Sequence, residues 1–208
     1  MSNCVASINP ANGGSKMYRG YRTERLVQKV LTKDAAPMVL AFYDENRSFF
    51  EPWDPKRSDN FYTLYYQKAS LAAEYNQMAE GKLIRYWVFL KDSPGEIIGT
   101  VCFQNFLKDP YNSCRLGYKF AEKYTHLGYA AESIQKGIEL MVNDFHIHRI
   151  EAFIMPNNQP SLRLIERLGF VDEGISYSYA KINGIWSDHR RYAYINKSNY
   201  AEISAAQL

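Results

Sequence analysis

The spacing of apolar positions divides the chain into short strands and helices. YRTERLVQKV at 21–30 alternates apolar and polar residues at the period of a half-buried strand. Thr32 is placed to N-cap a helix running to about Asn46, with Asp34 in the positive first turn and Pro37 near the start. The prolines of EPWDP at 51–55 end that helix. Ser58 or Asp59 is placed to cap a second helix, which shows Phe61, Leu64, Leu71, Tyr75 and Met78 on one face and stops at Gly81. YWVFL (86–90), the turn DSPGE (92–96) and IIGTVCFQNF predict a hairpin. SCRLGYKF (113–120) predicts a strand. GYAAESIQKGIELMVNDF (128–145) predicts an amphipathic helix, with Ala130, Ile134, Ile138, Met141 and Phe145 three to four positions apart. RIEAFI (149–154) predicts a strand, and PSLRLIERL (160–168) a short helix closed by Gly169. A last hairpin turns at Asn183-Gly184 and returns along HRRYAYI (189–195). This order predicts an α/β or α+β fold, one mixed and mostly antiparallel sheet with helices on both faces.

At 208 residues the chain has the length of one domain. Residues 1–17, rich in Asn, Gly and Ser, read as a flexible leader before a single domain over 18–208. No apolar run approaches the ~18 residues of a bilayer span, and no signal peptide is visible, so no membrane partner is expected. Cys4, Cys102 and Cys114 are odd in number and lack CxxC spacing, which predicts reduced thiols in the cytoplasm. The net charge of +3 falls short of a sequence-specific nucleic-acid binder. Arg19, Arg22, Arg25 and Lys29 form a local basic patch that reads first as a solvated strand face, and second as a contact for an acidic partner such as ribosomal RNA. His146 and His148 have no third ligand in view, so no metal is expected.

Two segments carry candidate chemistry. The strand 113–120 runs through AEKYTHL into the helix beginning at Gly128. A helix N-terminus offers unpaired N–H groups and about half a positive charge, a ready site for phosphate. Gly128 would let a phosphate approach the backbone; helix packing alone also accounts for a glycine there. The second segment is MPNNQPSLRLIERLGF (155–170). Asn157 or Asn158 can cap the helix, or an amide and the Ser161 hydroxyl can project where two strands part and meet a ligand.

In combination these residues resemble the GNAT superfamily of acyl-CoA-dependent N-acyltransferases, in its RimJ/RimL branch of ribosomal-protein-alanine acetyltransferases. The resemblance spans roughly 20–197 and rests on LGYKF (116–120), GYAAES (128–133), IHRIEAFIMPNNQPSLRLIERLGFVDEG (147–174), INGIWSDHRRYA (182–193) and ENRSFFEPWDP (45–55). It implies a splayed parallel strand pair, SCRLGYKF and RIEAFI, with acetyl-CoA in the cleft and its pantetheine adding to the first strand's edge. Cofactor contacts are then expected from Tyr118, Phe120, His126, Leu127, Gly128, Tyr129, Ala130, Ala131, Asn158 and Ser161. The family's pyrophosphate loop reads Gln/Arg-x-x-Gly-x-Gly/Ala. Here Thr125 holds the first position, and His126 stands where many relatives have another glycine.

The resemblance further implies direct attack of the acceptor amine on the thioester, with Ser161 serving the departing thiolate. The Tyr that many relatives use four residues beyond Ser161 is Ile165 here. The Glu that some relatives place before the glycine turn of the last hairpin is replaced by Ala180, leaving Glu45, Asp188, His189 or a water as base. Glu45 is taken as the catalytic candidate, and Trp53 and Trp186 as walls of the acceptor pocket, although core and rim packing also suits them. A peptide α-amine is already roughly 10–20% neutral at pH 7, which favours an α-amine acceptor over a lysine. The expected function is acetylation of a protein N-terminus of the alanine type, possible ribosomal proteins among the substrates. The alternatives are a small-molecule amine acceptor, or a non-catalytic acyl-CoA-binding or ribosome-docking module. Monomer and homodimer are both open.

Overall fold

The computed structural model describes residues 20–197, so the expected leader, Cys4 and Arg19 lie outside the described residues. One sheet of eight strands, in the order β1-β2-β3-β4-β5-β6-β8-β7, organises the chain. The strands are β1 (Gly20–Arg22), β2 (Leu26–Lys29), β3 (Leu83–Leu90), β4 (Ile97–Leu107), β5 (Ser113–Phe120), β6 (Arg149–Ile154), β7 (Val171–Ile182) and β8 (Ile185–Ile195). The helices are α1 (Ala36–Glu45), α2 (Arg47–Phe50), α3 (Leu64–Ala79), α4 (Tyr129–Asn143) and α5 (Gln159–Arg167). All neighbouring strands are antiparallel except β5 and β6, which run parallel.

Each face of the sheet has its own core. On one face α4 and α5 bury Ile134, Ile138, Met141, Leu162 and Ile165 against Ile98, Val101, Leu116, Ile150 and Ala152. On the other, α1 and α3 pack Val39, Phe42, Tyr43 and Leu71 with Trp87 and Phe89. Phe42 and Tyr43 meet Trp87 edge-on, at ring-centre distances of 5.9 and 6.1 Å. The Asn183-Gly184 turn has φ of 43° and 86°, the two positive angles of the tight hairpin turn that this dipeptide favours.

Four local expectations are corrected. The strand expected over 21–30 is two strands, because Thr23 makes a turn: its N–H donates to the Leu26 carbonyl at 3.0 Å, and its Oγ1 accepts from the Leu26 N–H at 3.1 Å. Thr32 makes no side-chain cap; it precedes a single 3-10 turn at Lys33–Ala35, and α1 starts after Ala35. Thr63, not Ser58 or Asp59, caps α3, its hydroxyl accepting from the Tyr66 N–H at 3.2 Å; residues 59–62 form a separate 3-10 turn. The amphipathic helix ends at Asn143, before Phe145.

Candidate active site

The parallel pair β5–β6 is joined over only three positions, Ser113–Arg149, Cys114–Ile150 and Arg115–Glu151. Beyond them β5 continues from Leu116 to Phe120 paired with β4 alone, and β6 turns to β8. The edge of β5 over 116–120 therefore faces a cleft with backbone groups that no strand occupies. Tyr118 and Phe120 lie along it. The Phe120 ring fills the space over Gly99, where an added Cβ would meet it at 2.5 Å, so its side chain belongs to the core and its backbone to the cleft. Tyr118 spans the cleft: its hydroxyl donates to the Ser161 carbonyl at 3.4 Å. Burial pushes this phenol up to about 12, so it stays protonated at neutral pH.

At the end of β5 the chain makes a 3-10 turn at Glu122–Tyr124 and enters the loop before α4. His126 has φ of 60° and Gly128 of 82°. Positive φ on both sides of Leu127 is the kind of backbone turn that can bring successive N–H groups toward one anion. A residue with a Cβ pays about 1–2 kcal/mol for this conformation, and His126 bears that cost. Leu127 is exposed, whereas Tyr129, Ala130 and Ala131 in the first turn of α4 are half-buried.

The sequence reading missed the group that braces this loop. Arg25, in the turn between β1 and β2, donates from Nε to Glu132 at 2.7 Å and from Nη1 to the Leu127 carbonyl at 3.0 Å. Its guanidinium also lies 4.5 Å over the Tyr129 ring. Burial pushes the Glu132 carboxyl up, but hydrogen bonds from Thr23 Oγ1 and from the Arg25 N–H and guanidinium outweigh it and hold the acid below its usual range. Arg25 thus belongs to the loop and not to a solvated strand face. The basic patch was the available signal, but nothing in sequence shows that position 25 sits beside position 127.

Across the cleft, Asn158 caps α5: Oδ1 accepts from the Ser161 N–H at 3.2 Å. The capping reading is therefore realised, and the side-chain NH2 is the part of Asn158 left for a ligand. Ser161 stands in the first turn of α5, half-buried, with its carbonyl against the Tyr118 hydroxyl.

The other face of β5 is open over Gly117. Side chains alternate along β5, so Cys114, Leu116 and Phe120 enter the α4–α5 core while Arg115, Gly117 and Lys119 face the α1–α3 side. A Cβ at Gly117 would meet nothing within 4 Å. On one side of this space Lys119 pairs with Asp54, which also faces Arg57 at 3.6 Å. Burial pulls the Lys119 ammonium down, and the Asp54 carboxylate only partly restores it. The Asp54 carbonyl accepts from the Asn183 N–H at 2.9 Å, tying the tip of the β7–β8 hairpin to the segment after α2. Trp53 and Trp186 stand next to these anchors, the first half-buried and the second 62% exposed. On the other side lie Arg115, Phe153, Tyr179 and His189. Phe153 and Tyr179 stack at 4.3 Å, and His189 is 5.0 Å from Tyr179.

Glu45 ends α1 on the surface. Its neighbour Asn46 accepts the Glu122 N–H at 3.0 Å, which places Glu45 by the loop after β5; among the described residues no hydrogen bond links Glu45 to Ser161 or Asn158. Ala180 pairs with Ser187 across the last hairpin and supplies no base. A separate cavity of about 90 Å³ lies between α1, α3 and β3, lined by Tyr43, Arg57, Phe61, Glu74 and Arg85 among others, and holds none of these candidates. Among the described residues no three metal-ligating side chains cluster, and no helix is long and apolar enough to cross a membrane.

Comparison with known proteins agrees with this geometry. The acetyltransferase (GNAT) domain family matches residues 25–171. The chain is 33% identical over 169 residues to the [ribosomal protein uS5]-alanine N-acetyltransferase of Escherichia coli K12, covering 80% of this chain and 86% of that protein. Its fold superposes on the ribosomal-protein-S5-alanine acetyltransferase of Vibrio fischeri with a TM-score of 0.80 at 29% identity, over 85% of this chain and 96% of that one. It also superposes on RimJ of Mycobacterium smegmatis, solved with CoA-disulfide, with a TM-score of 0.78 at 21% identity, over 87% and 89%.

Proposed function

This chain belongs to the GNAT acetyltransferase family, and from that premise we propose that it uses acetyl-CoA to acetylate the N-terminal α-amine of a protein, of the alanine type found on ribosomal proteins. The observation that carries the reading is the parting of β5 and β6 after Arg115–Glu151, directly beside a left-handed loop at a helix N-terminus. The residues present suit the cofactor. The N–H groups of 126–131 receive its pyrophosphate, helped by the dipole of α4. The free edge of β5 over 116–120 receives its pantetheine amides. When bound, acetyl-CoA supplies an activated thioester that an amine can attack without a protein nucleophile.

The remaining work falls to the chain. Ser161 would donate a hydrogen bond to the departing sulfur, which leaves as a thiolate and takes up a proton equivalent to the one the amine loses to water, and the Asn158 NH2 would steady the arm that carries it. Tyr118 holds α5 to β5 through the Ser161 carbonyl, fixing the serine's place in the cleft. The acceptor enters over Gly117, between the Asp54–Lys119 pair and the Phe153–Tyr179 stack, with Trp53 and Trp186 at the rim. Where some relatives have a Glu this chain has Ala180, and Glu45 is the carboxylate that stays as candidate base beside water. An α-amine, with a pKa of about 7.7–8, needs little help in losing its proton, and water can carry it off. A lysine side chain at ~10.4 would need a base. The buried Cys102 and Cys114 thiols go with a reducing cytoplasmic setting.

The test is release of free CoA thiol with a peptide bearing N-terminal Ala, set against the same peptide with a blocked α-amine and an internal Lys. Release only from the free α-amine is expected. Release from neither, with acetyl-CoA still raising the melting temperature, would refute the α-amine assignment in favour of a small amine or a binding module.

A further inference from the structure

We propose that Arg115 reads a carboxylate on the acceptor polypeptide, a few residues beyond its α-amine, and so makes the enzyme selective for acidic N-terminal segments. The inference rests on the α-amine reading above and adds a sequence preference to it.

Arg115 is the last residue of β5 still paired to β6, opposite Glu151. It faces the acceptor groove with Gly117 and Lys119. Its guanidinium lies beside two rings, with Cζ 4.6 Å from the centre of Phe153 and 5.6 Å from that of Tyr179. Those rings stack at an interplanar angle of 2°, and their electron-rich faces attract the guanidinium charge. Among the described residues it forms no ion pair, and its Nε is buried without a hydrogen-bond partner. The acids of this face are committed elsewhere. Glu151, directly opposite, accepts from Arg149 Nε at 2.9 Å and Arg191 Nη2 at 2.6 Å. Glu173 is held by Arg149 and Arg191, and Asp54 by Lys119 and Arg57. Arg115 is therefore a positive charge set beside an aromatic stack, on the face of β5 that is open at Gly117, with no ion-pair partner among the described residues.

A planar guanidinium recognises carboxylates through paired hydrogen bonds, and neighbouring aromatic rings reduce the water that competes for it. Gly117 leaves the floor of the groove open two residues away, roughly 7 Å along the strand. An extended polypeptide covers that span in about two residues. An acceptor whose amine lies over Gly117 thus brings its third residue, with the second and fourth as neighbours, to Arg115.

The experiment measures kcat/KM on peptides with N-terminal Ala that carry either Glu or Gln at the second, third or fourth residue. Wild-type enzyme is expected to favour Glu over Gln by about tenfold at one of these positions. Arg115→Met should reduce that ratio to about one, and Arg115→Glu should reverse it toward a Lys-bearing peptide. Thermal melts of both variants report whether they fold. Even if neither folds, the wild-type Glu/Gln ratio can still overturn the inference. An equal rate on the Glu and Gln peptides at all three positions, with robust α-amine turnover, would overturn the inference while leaving the α-amine reading intact. A preference that survives in Arg115→Met would also overturn it. Failure of every peptide alongside turnover of a small amine would overturn both.

Discussion

Gly128→Ala is the substitution that most directly tests the anion cradle. Gly128 has φ of 82°, where a residue with a Cβ pays about 1–2 kcal/mol. The new Cβ would also stand 3.3 Å from Arg25 Nη2, an atom that cannot swing away freely because Nε holds Glu132 and Nη1 holds Leu127. The loop has two ways to respond. It can keep its shape and lower the stability of the free enzyme, or it can flatten and draw its N–H groups apart. The total of ~1–2 kcal/mol divides between these two responses. In the first extreme the melting temperature falls by about 2–8 °C; in the second the dissociation constant for CoA rises about 5–30-fold. Calorimetric titration with CoA and a thermal melt of the free enzyme measure the two shares. The double variant Arg25→Ala/Gly128→Ala separates the causes, because removing Arg25 abolishes the close contact and leaves the backbone strain. A Gly128→Ala enzyme that binds CoA within twofold of wild type and melts at the same temperature would refute the cradle.

Three other outcomes are expected. Ser161→Ala should lower kcat by about 10²-fold while leaving the dissociation constant for acetyl-CoA within twofold, and full turnover would remove Ser161 from stabilising the departing sulfur. Asp54→Asn leaves Lys119 buried without its anion and should cost about 2–3 kcal/mol at pH 7, less than a fully buried pair because Lys119 is 23% exposed. That lysine's folded pKa is then depressed, so the unfolded chain binds the extra proton and the variant's deficit should shrink as pH rises toward ~10; a deficit that does not change in urea melts between pH 7 and 10 would contradict this. His189 is buried, which pulls its imidazole below the usual value while the Ser187 carbonyl opposes. Its stabilising contribution is complete above about pH 6.5 and is lost as pH falls through the depressed folded value, because the unfolded state takes up the proton first. His189→Gln should flatten the stability profile over that acid window, and an unchanged slope would place the titration elsewhere.

Much of this architecture was legible along the chain because its signals are local. β5 and β6 run over the residues their apolar runs mark, and Gly81, Gly169 and Asn183-Gly184 turn where their left-handed preference allows. The errors came where a side chain at a distance decided the backbone. Thr23 and Arg25 lie in a segment with the alternation of one strand, but the turn there is pinned by Glu132, more than a hundred positions away. Thr63 caps α3 because residues 59–62 form their own turn first, which composition does not reveal. In the site, Gly128, Asn158 and Ser161 were findable from spacing. Arg25 and Arg115 were not: the first is legible only as one basic residue among several, the second as an arginine in a strand, and each acquires a role from a neighbour on another element.

The three-pair seam between β5 and β6 also has a mechanical consequence. It divides the sheet into a five-strand block, β1 to β5, and a three-strand block, β6, β8 and β7, joined by that short seam and by the core beneath α4 and α5. Two such blocks can breathe independently, each opening with its own free energy. A ligand that lies in the gap and bonds to the β5 edge acts as mortar between them. Amide exchange along β6 and β8 should accordingly be faster than along β3 and β4 in the free enzyme, and the two rates should converge when the gap is filled.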